Sequence, residues 1–170
     1  MTTYNTLQYP DPRLRLKAEQ VADFGPETQT IVSNMFATLY HTPNAAGFAA
    51  TQFNIQQQII VIDLSVDRNQ PLCLINPAIV AKSDAMTYEP EGCLSIPLEI
   101  PDPVPRAAKI KCCAYNDKNE QLEFECDGFL AKCIQHEMDH LNGILFIDYL
   151  SEAKRQDIDK ALPALDKEVV

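Results

Sequence analysis

The sequence predicts an α+β fold in one domain that covers residues 1–170. Apolar residues recur at helical spacing over residues 26–41 and again after residue 127. The apolar runs between these two stretches are short or alternate in polarity, as strands do. Because the strands follow one another instead of alternating with helices, the pattern favours α+β over a parallel α/β sheet. A chain of 170 residues also suits a single core.

The first helix is predicted over residues 26–41. Pro26 and Glu27 suit a first helical turn. The apolar positions that follow at helical spacing are Ile31, Val32, Met35, Phe36, Leu39 and Tyr40. Residues 43–47 contain proline, asparagine and glycine, so we expect the chain to leave the helix in a loop that leads into a strand.

Four strands are predicted in the middle of the chain. Residues 59–64 and 72–75 are short apolar runs, which is typical of buried strands. Residues 109–115 and 122–126 alternate in polarity on either side of a polar turn, which predicts a hairpin. Residues 97–105 are rich in proline and are expected to form an irregular connection or a sheet edge.

Two further helices are predicted near the C-terminus. Asp127 can cap the first of them, and Gly143 is placed to end it. Ser151 can cap the last helix, which is expected to reach about Leu162 because Pro163 disfavours its continuation.

Composition restricts the class of function. A formal charge of −10 and a pI near 4.6 oppose direct nucleic-acid binding, which depends on clustered basic residues. Residues 1–15 contain no apolar run, so neither a secretory signal nor a membrane span is expected, and we predict a cytoplasmic protein. The six cysteines are therefore expected to be reduced. Four of them lie in apolar patterns that suit a core: Cys73, Cys112, Cys126 and Cys133.

An HExxH motif, residues 136–140, carries the chemistry. On a helix, His136 and His140 share one face and can bind one metal ion, while Glu137 can move the proton of an activated water. A catalytic site of this type needs a third protein ligand. Phe146 stands where the longer HExxHxxGxxH pattern has its third histidine. The candidates that remain open are His41, Glu152, Glu168 and Cys93, of which Cys93 is the softest and most distinctive.

Three segments resemble the signature motifs of the peptide deformylase family: residues 47–52 (GFAATQ), 91–95 (EGCLS) and 135–140 (QHEMDH). Residues 9–15 and 141–150 are also similar to that family. The resemblance implies antiparallel β-sheets packed around a central HExxH-bearing helix, with an N-terminal and a C-terminal helix. It also implies hydrolysis of the N-formyl group from the formyl-methionine of nascent peptides.

The resemblance further implies a role for each site residue. Cys93, His136 and His140 take the roles of metal ligands, and Glu137 is the general base and acid. The donors to the oxyanion are the side-chain amide of Gln52 and the backbone N–H of Leu94. The substrate pocket is implied to contain Gly47, Glu89, Phe129, Lys132 and Cys133. Glu91 is implied to pair with Arg106. The family metal is most often Fe²⁺, and Zn²⁺, Ni²⁺ or Co²⁺ can occupy the same site.

Three residues depart from the family pattern. Ala45 replaces the first glycine of the GxGxAAxQ motif, which would narrow the cleft if that glycine served close approach or a positive φ. Glu89 and Lys132 stand where the family commonly has aliphatic residues. We hypothesise that these two charges pair across the mouth of the pocket and change the preferred first residue of the substrate.

Two other functions are weighed against deformylation. One is an HExxH metallopeptidase that cuts internal peptide bonds, with Glu168 or another carboxylate as third ligand. The other is a deformylase-like protein that binds formyl peptides with altered or impaired turnover. N-formylated nascent peptides are the expected partners. Transient ribosome contact is a further hypothesis. The segment from Ser151 onward does not favour it, because its four basic residues are outnumbered by five acidic ones.

Overall fold

The computed structural model describes residues 2–100 and 102–165. Its helices and strands follow one another in the order α1 (Pro26–His41), β1 (Gly47–Ala49), β2 (Ile59–Ile62), β3 (Leu72–Lys82), β4 (Met86–Pro90), β5 (Pro103–Ala107), β6 (Lys109–Tyr115), β7 (Gln121–Asp127), α2 (Gly128–Leu141) and α3 (Glu152–Leu165). Short 3₁₀ turns lie at Pro12–Arg15, Ala50–Phe53 and Phe146–Tyr149. The α+β class predicted from the sequence is confirmed.

Five strands form the main antiparallel sheet, in the order β1-β2-β3-β6-β7, and β4 pairs with β5 in a second sheet. Strand β2, which lies between β1 and β3, is buried on both faces. Its alternate residues Ile60 and Ile62 pack in one core with Ala131 and Ile134 of α2. Ile59 and Val61 point the other way, into the core that contains α1. The main sheet therefore lies between α1 and α2.

A third core includes the segment that follows α2. It joins the segment after β4 to the C-terminal part of the chain, with Ile96 and Val104 packed in the same cluster as Phe146 and Ile158. Cys93 packs against this cluster. The segment that carries Cys93 is thus supported by apolar contacts from the far end of the chain.

Helix α1 and the hairpin of β6 and β7 agree with the prediction, α1 over the same residues. Helix α2 begins after Asp127 and is followed by Gly143, whose φ of +71° ends the helical path. One detail was wrong: Asp127 occupies the N-cap position, but its side chain makes no capping hydrogen bond. It lies instead 3.9 Å from Lys109 Nζ on the neighbouring strand.

The prediction for β3 needs correction, whereas the proline-rich segment forms a sheet edge at residues 103–105, as expected. Strand β3 continues to Lys82 and pairs with β6 beyond Asn76, where a shift in register and a φ of +52° accommodate the irregularity. Within the proline-rich segment, Pro103 begins strand β5, which pairs with β4, a strand that was not predicted. Prolines are tolerated there because the two-stranded sheet exposes edges that need no further N–H donors.

Helix α3 was expected to reach about Leu162, but it continues through Pro163 to Leu165. A proline in the last turn removes one N–H bond, and its fixed φ is itself helical, so the helix can include it. Among the described residues, no helix is both long enough and apolar enough to cross a bilayer. The six cysteines are free; Cys73, Cys112 and Cys133 are buried, and Cys126 is partly exposed.

Candidate metal centre

Helix α2 brings the two histidines of the HExxH motif together. The rings of His136 and His140 lie on one face, with centroids 5.0 Å apart, as the spacing of four residues requires. His140 is buried and His136 is nearly so. Burial lowers the pKa of His140 well below its usual value, so this imidazole is neutral, the form that binds metal ions.

Cys93 comes from the turn that follows β4. Its carbonyl accepts a hydrogen bond from Ile96 N–H at 2.9 Å, which closes the turn and directs the thiol toward α2. Cys93 Sγ lies 3.2 Å from His140 Nε2. One ligand atom from each of Cys93, His136 and His140 lies within 4.8 Å of the others. The structure therefore brings the three predicted ligands to one point.

A buried ion-pair network holds the His136 side of the site. Glu91 accepts a hydrogen bond from His136 Nδ1 at 2.8 Å and two from Arg106, and Arg106 also reaches Asp139. Burial alone would raise the pKa of Glu91, but the hydrogen bonds from Arg106 and His136 outweigh it and lower the pKa to about 2. The predicted pair of Glu91 and Arg106 is confirmed.

Glu137 directly follows His136 on α2 and is buried. Its Oε2 atom has no hydrogen-bond partner among the described residues. Burial raises the pKa of this carboxyl to about 7, and a protonated His136 in the metal-free chain opposes that rise. A carboxyl that titrates near neutrality can both accept and return a proton.

The side chain of Gln52 is fixed in orientation. Its Oε1 accepts a hydrogen bond from Ala49 N–H at 2.9 Å, and its Nε2 donates to Ser95 Oγ at 3.1 Å. The same Nε2 lies 3.9 Å from Cys93 Sγ. The amide therefore presents its N–H groups toward the ligand cluster.

A cavity of about 640 Å³ opens beside these residues. The predicted site residues that line it are Gly47, Gln52, Cys93, Leu94, Phe129, Lys132, Cys133, His136 and Glu137. Glu89 is not part of this lining, but its Oε2 lies 2.8 Å from Lys132 Nζ. The hypothesised pairing of these two charges is thus present. Ala45 also lines the cavity and does not adopt a positive φ, so its backbone is unstrained.

Three residues of the site were not predicted. Ser95 is fully buried and orients Gln52. Asp139 and Tyr149 extend the network around Arg106, with Tyr149 OH donating to Asp139 at 2.9 Å. Their position inside or just after the recognised motifs was the only available signal, because their partners are distant in sequence.

The comparisons with known proteins agree with this geometry. The family model described as polypeptide deformylase matches residues 3–156. The chain is 47% identical over 167 residues to peptide deformylase 1 of Coxiella burnetii, covering 97% of this chain and 98% of that protein. It is 48% identical over 162 residues to the peptide deformylase of Pseudoalteromonas translucida, covering 95% of each.

The chain belongs to the polypeptide deformylase family. A crystal structure of a peptide deformylase from Legionella pneumophila superposes with a TM-score of 0.91 at 36% identity, covering 98% of this chain and 96% of that one. As a family member, the chain is a metal-dependent amidohydrolase that removes the formyl group from N-terminal formyl-methionine.

The other candidate ligands have different positions. Nδ1 of His41 lies 2.7 Å from the carbonyl of Ala37 in its own helix. Glu152 begins α3, and Glu168 lies outside the described residues. The deformylase ligand set of one cysteine and two histidines is therefore the one that the described residues assemble.

Proposed function

We propose that this chain deformylates nascent peptides with Cys93, His136 and His140 as metal ligands and Glu137 as the proton carrier. The single observation that carries the proposal is the convergence of the three ligand atoms next to Glu137, whose buried Oε2 has no hydrogen-bond partner within the part of the chain that the structure describes. N-formylated nascent peptides are the substrates, and we place the reaction in the cytoplasm.

The donor set fits a divalent metal ion. One ligand atom from each of Cys93, His136 and His140 lies within 4.8 Å of the others, close enough for a single ion to be held by all three. A thiolate and two imidazoles suit Fe²⁺, and also Zn²⁺, Ni²⁺ or Co²⁺. We propose Fe²⁺ as the native ion. When bound, the ion supplies Lewis-acid chemistry that makes a water molecule more acidic.

Glu137 accepts the proton of the attacking water. Burial raises the pKa of this carboxyl, which makes it a better proton acceptor than an exposed glutamate. The same proton can then pass to the amine that leaves as the formyl C–N bond breaks. The burial that shifts the pKa also keeps bulk water away from the proton.

Gln52 and Leu94 stabilise the charge that develops on the formyl oxygen. The amide of Gln52 is held in place by Ala49 and Ser95, so little reorganisation is needed during the reaction. Leu94 directly follows Cys93 and lines the same cavity, which suits its backbone N–H to the role of second donor.

The substrate side chain occupies the cavity between β1 and α2. Glycine suits position 47, because a Cβ there would lie 3.0 Å from Val61 O and 3.3 Å from Cys133 Sγ, both tight contacts. Cys133 and Phe129 form the wall on the helix side. We propose that Gly47, Phe129, Lys132 and Cys133 contact the first residue of the peptide.

The proposal is tested by anaerobic purification, metal analysis and an assay with a formyl-methionyl peptide. We expect about one metal ion per chain and release of formate. Glu137→Ala should retain the metal and lose activity by about 10²- to 10⁴-fold. The matched control is Glu125→Ala on the exposed side of β7, which should keep full activity. Full activity in Glu137→Ala would refute the assigned role.

A further inference from the structure

Helix α2 lines the cavity with a stripe of side chains that begins at the metal ligands. Phe129, Lys132, Cys133 and His136 all contribute to the lining. At a rise of 1.5 Å per residue, Lys132 lies about 6 Å along the helix axis from His136, which is one helical turn. A first side chain of methionine length, extending along this stripe from a formyl group held at His136, reaches the level of Lys132.

Lys132 brings a mostly buried positive charge to this wall. Its side chain is only 14% exposed, whereas that of its partner Glu89 is 59% exposed. The ammonium lies 2.8 Å from Glu89 Oε2, 3.4 Å from the carbonyl of Pro90 and 5.2 Å from the centre of the Phe129 ring. An ammonium has three N–H donors. Among the described residues, two oxygen acceptors lie within hydrogen-bond distance of the ammonium, and beyond them it has the Phe129 ring but no third oxygen acceptor.

We propose that Lys132 determines substrate specificity by favouring formyl peptides whose first side chain carries a neutral hydrogen-bond acceptor. The primary amide of glutamine and the sulfoxide of oxidised methionine are side chains of this class. The proposal rests on the deformylase function proposed above. It extends that function by assigning the remaining N–H of Lys132 to the substrate.

The charges beside the cavity select a neutral acceptor over a charged one. A carboxylate on the substrate would approach Glu89, which already neutralises the ammonium, and a basic side chain would meet Lys132 itself. A hydrocarbon side chain fits the apolar part of the wall but leaves the third N–H without an acceptor. A hydrogen bond to a charged donor in a site of low exposure is stronger than one in water.

The experiment compares kcat/KM for four peptides that differ only in the first residue: formyl-methionyl, formyl-norleucyl, formyl-glutaminyl and formyl-methionine-sulfoxide peptides. The readout is the kcat/KM of each acceptor-bearing peptide divided by the kcat/KM of the norleucyl peptide. We expect this ratio to fall about tenfold or more in Lys132→Met, and equally in Lys132→Leu. In Glu89→Gln, which keeps the ammonium, the ratio should be maintained or increased.

The matched control is Lys111→Met, which breaks the distant ion pair of Lys111 with Glu123 on β6 and β7 and should leave the ratio unchanged. An unchanged ratio in both Lys132 variants would overturn the specificity role while leaving deformylation intact. Failure of the unmodified enzyme to deformylate any of the four peptides would instead overturn the proposed function.

Discussion

His136 Nδ1 donates a hydrogen bond to the carboxylate of Glu91 at 2.8 Å, and Arg106 donates two hydrogen bonds to the same carboxylate. This contact fixes the ring orientation and leaves the other ring nitrogen of His136 for a metal ion. Both Glu91 and Arg106 are buried, so the contact is little screened by solvent. Metal binding thus depends on residues that do not touch the metal.

Replacing the Glu91 carboxylate should weaken metal binding. We expect Glu91→Gln to lower the affinity for Zn²⁺ by about 10- to 100-fold, because the neutral amide holds His136 less firmly and leaves Arg106 without its partner. Competition with a chromophoric chelator measures the affinity. Glu123→Gln removes a carboxylate from an exposed ion pair and serves as the control. Equal affinities in Glu91→Gln and Glu123→Gln would contradict the prediction.

The same carboxylate should make stability depend on pH in the acid range. The pKa of Glu91 is lowered from 4.5 to about 2, so its pairing stabilises the fold above pH 4.5 and is lost as the pH falls toward 2. A shift of this size corresponds to about 3 kcal/mol. In urea unfolding of metal-free protein, the stability difference between the unmodified chain and Glu91→Gln should shrink as the pH falls from 4.5 to 2. A difference independent of pH would exclude this linkage.

Loss of the cysteine ligand should abolish both metal retention and activity. We expect Cys93→Ala to retain less than about a tenth of the metal and to lose deformylation by at least about 100-fold. Cys112→Ala is the control, because Cys112 is equally free but lies in the core away from the cavity. Metal content and formate release are measured on the same preparations. Intact metal and activity in Cys93→Ala would refute the ligand assignment.

Three glycine variants separate backbone strain from steric clash. At Gly143, φ is +71° and a Cβ would lie 2.3 Å from the carbonyl oxygen of Arg15, so Gly143→Ala should destabilise most, by about 3 kcal/mol or more. Gly128 has φ +56° but open space, so about 1–2 kcal/mol is expected for Gly128→Ala. A Cβ at position 92 would have no atom within 4 Å, so Gly92→Ala should lower the free energy of unfolding the least. Thermal unfolding measures the order, and any other order would contradict the explanation.

The sequence determined those elements whose burial pattern is local. Helix α1 was predicted over its observed residues because proline and glutamate mark its start and apolar residues repeat along one face. The HExxH spacing likewise predicted that His136 and His140 share a face. The motifs around Gln52, Cys93 and His136 predicted the family, which the comparisons confirm.

The tertiary structure decided what depends on partners far along the chain. The outer half of β3 and all of β4 expose most of their side chains, so these strands depend on pairing with β6 and β5. The apolar run at residues 78–81 of β3 follows Pro77 and lies in mostly exposed positions, so it does not mark a buried strand. Cys93 and His140 are 47 residues apart, yet their ligand atoms meet at 3.2 Å. The tertiary structure also buries Glu137, which raises the pKa of its carboxyl, and it places Lys132 in the cavity wall. Burial and charge proximity are properties of the packed chain, and local sequence does not encode them.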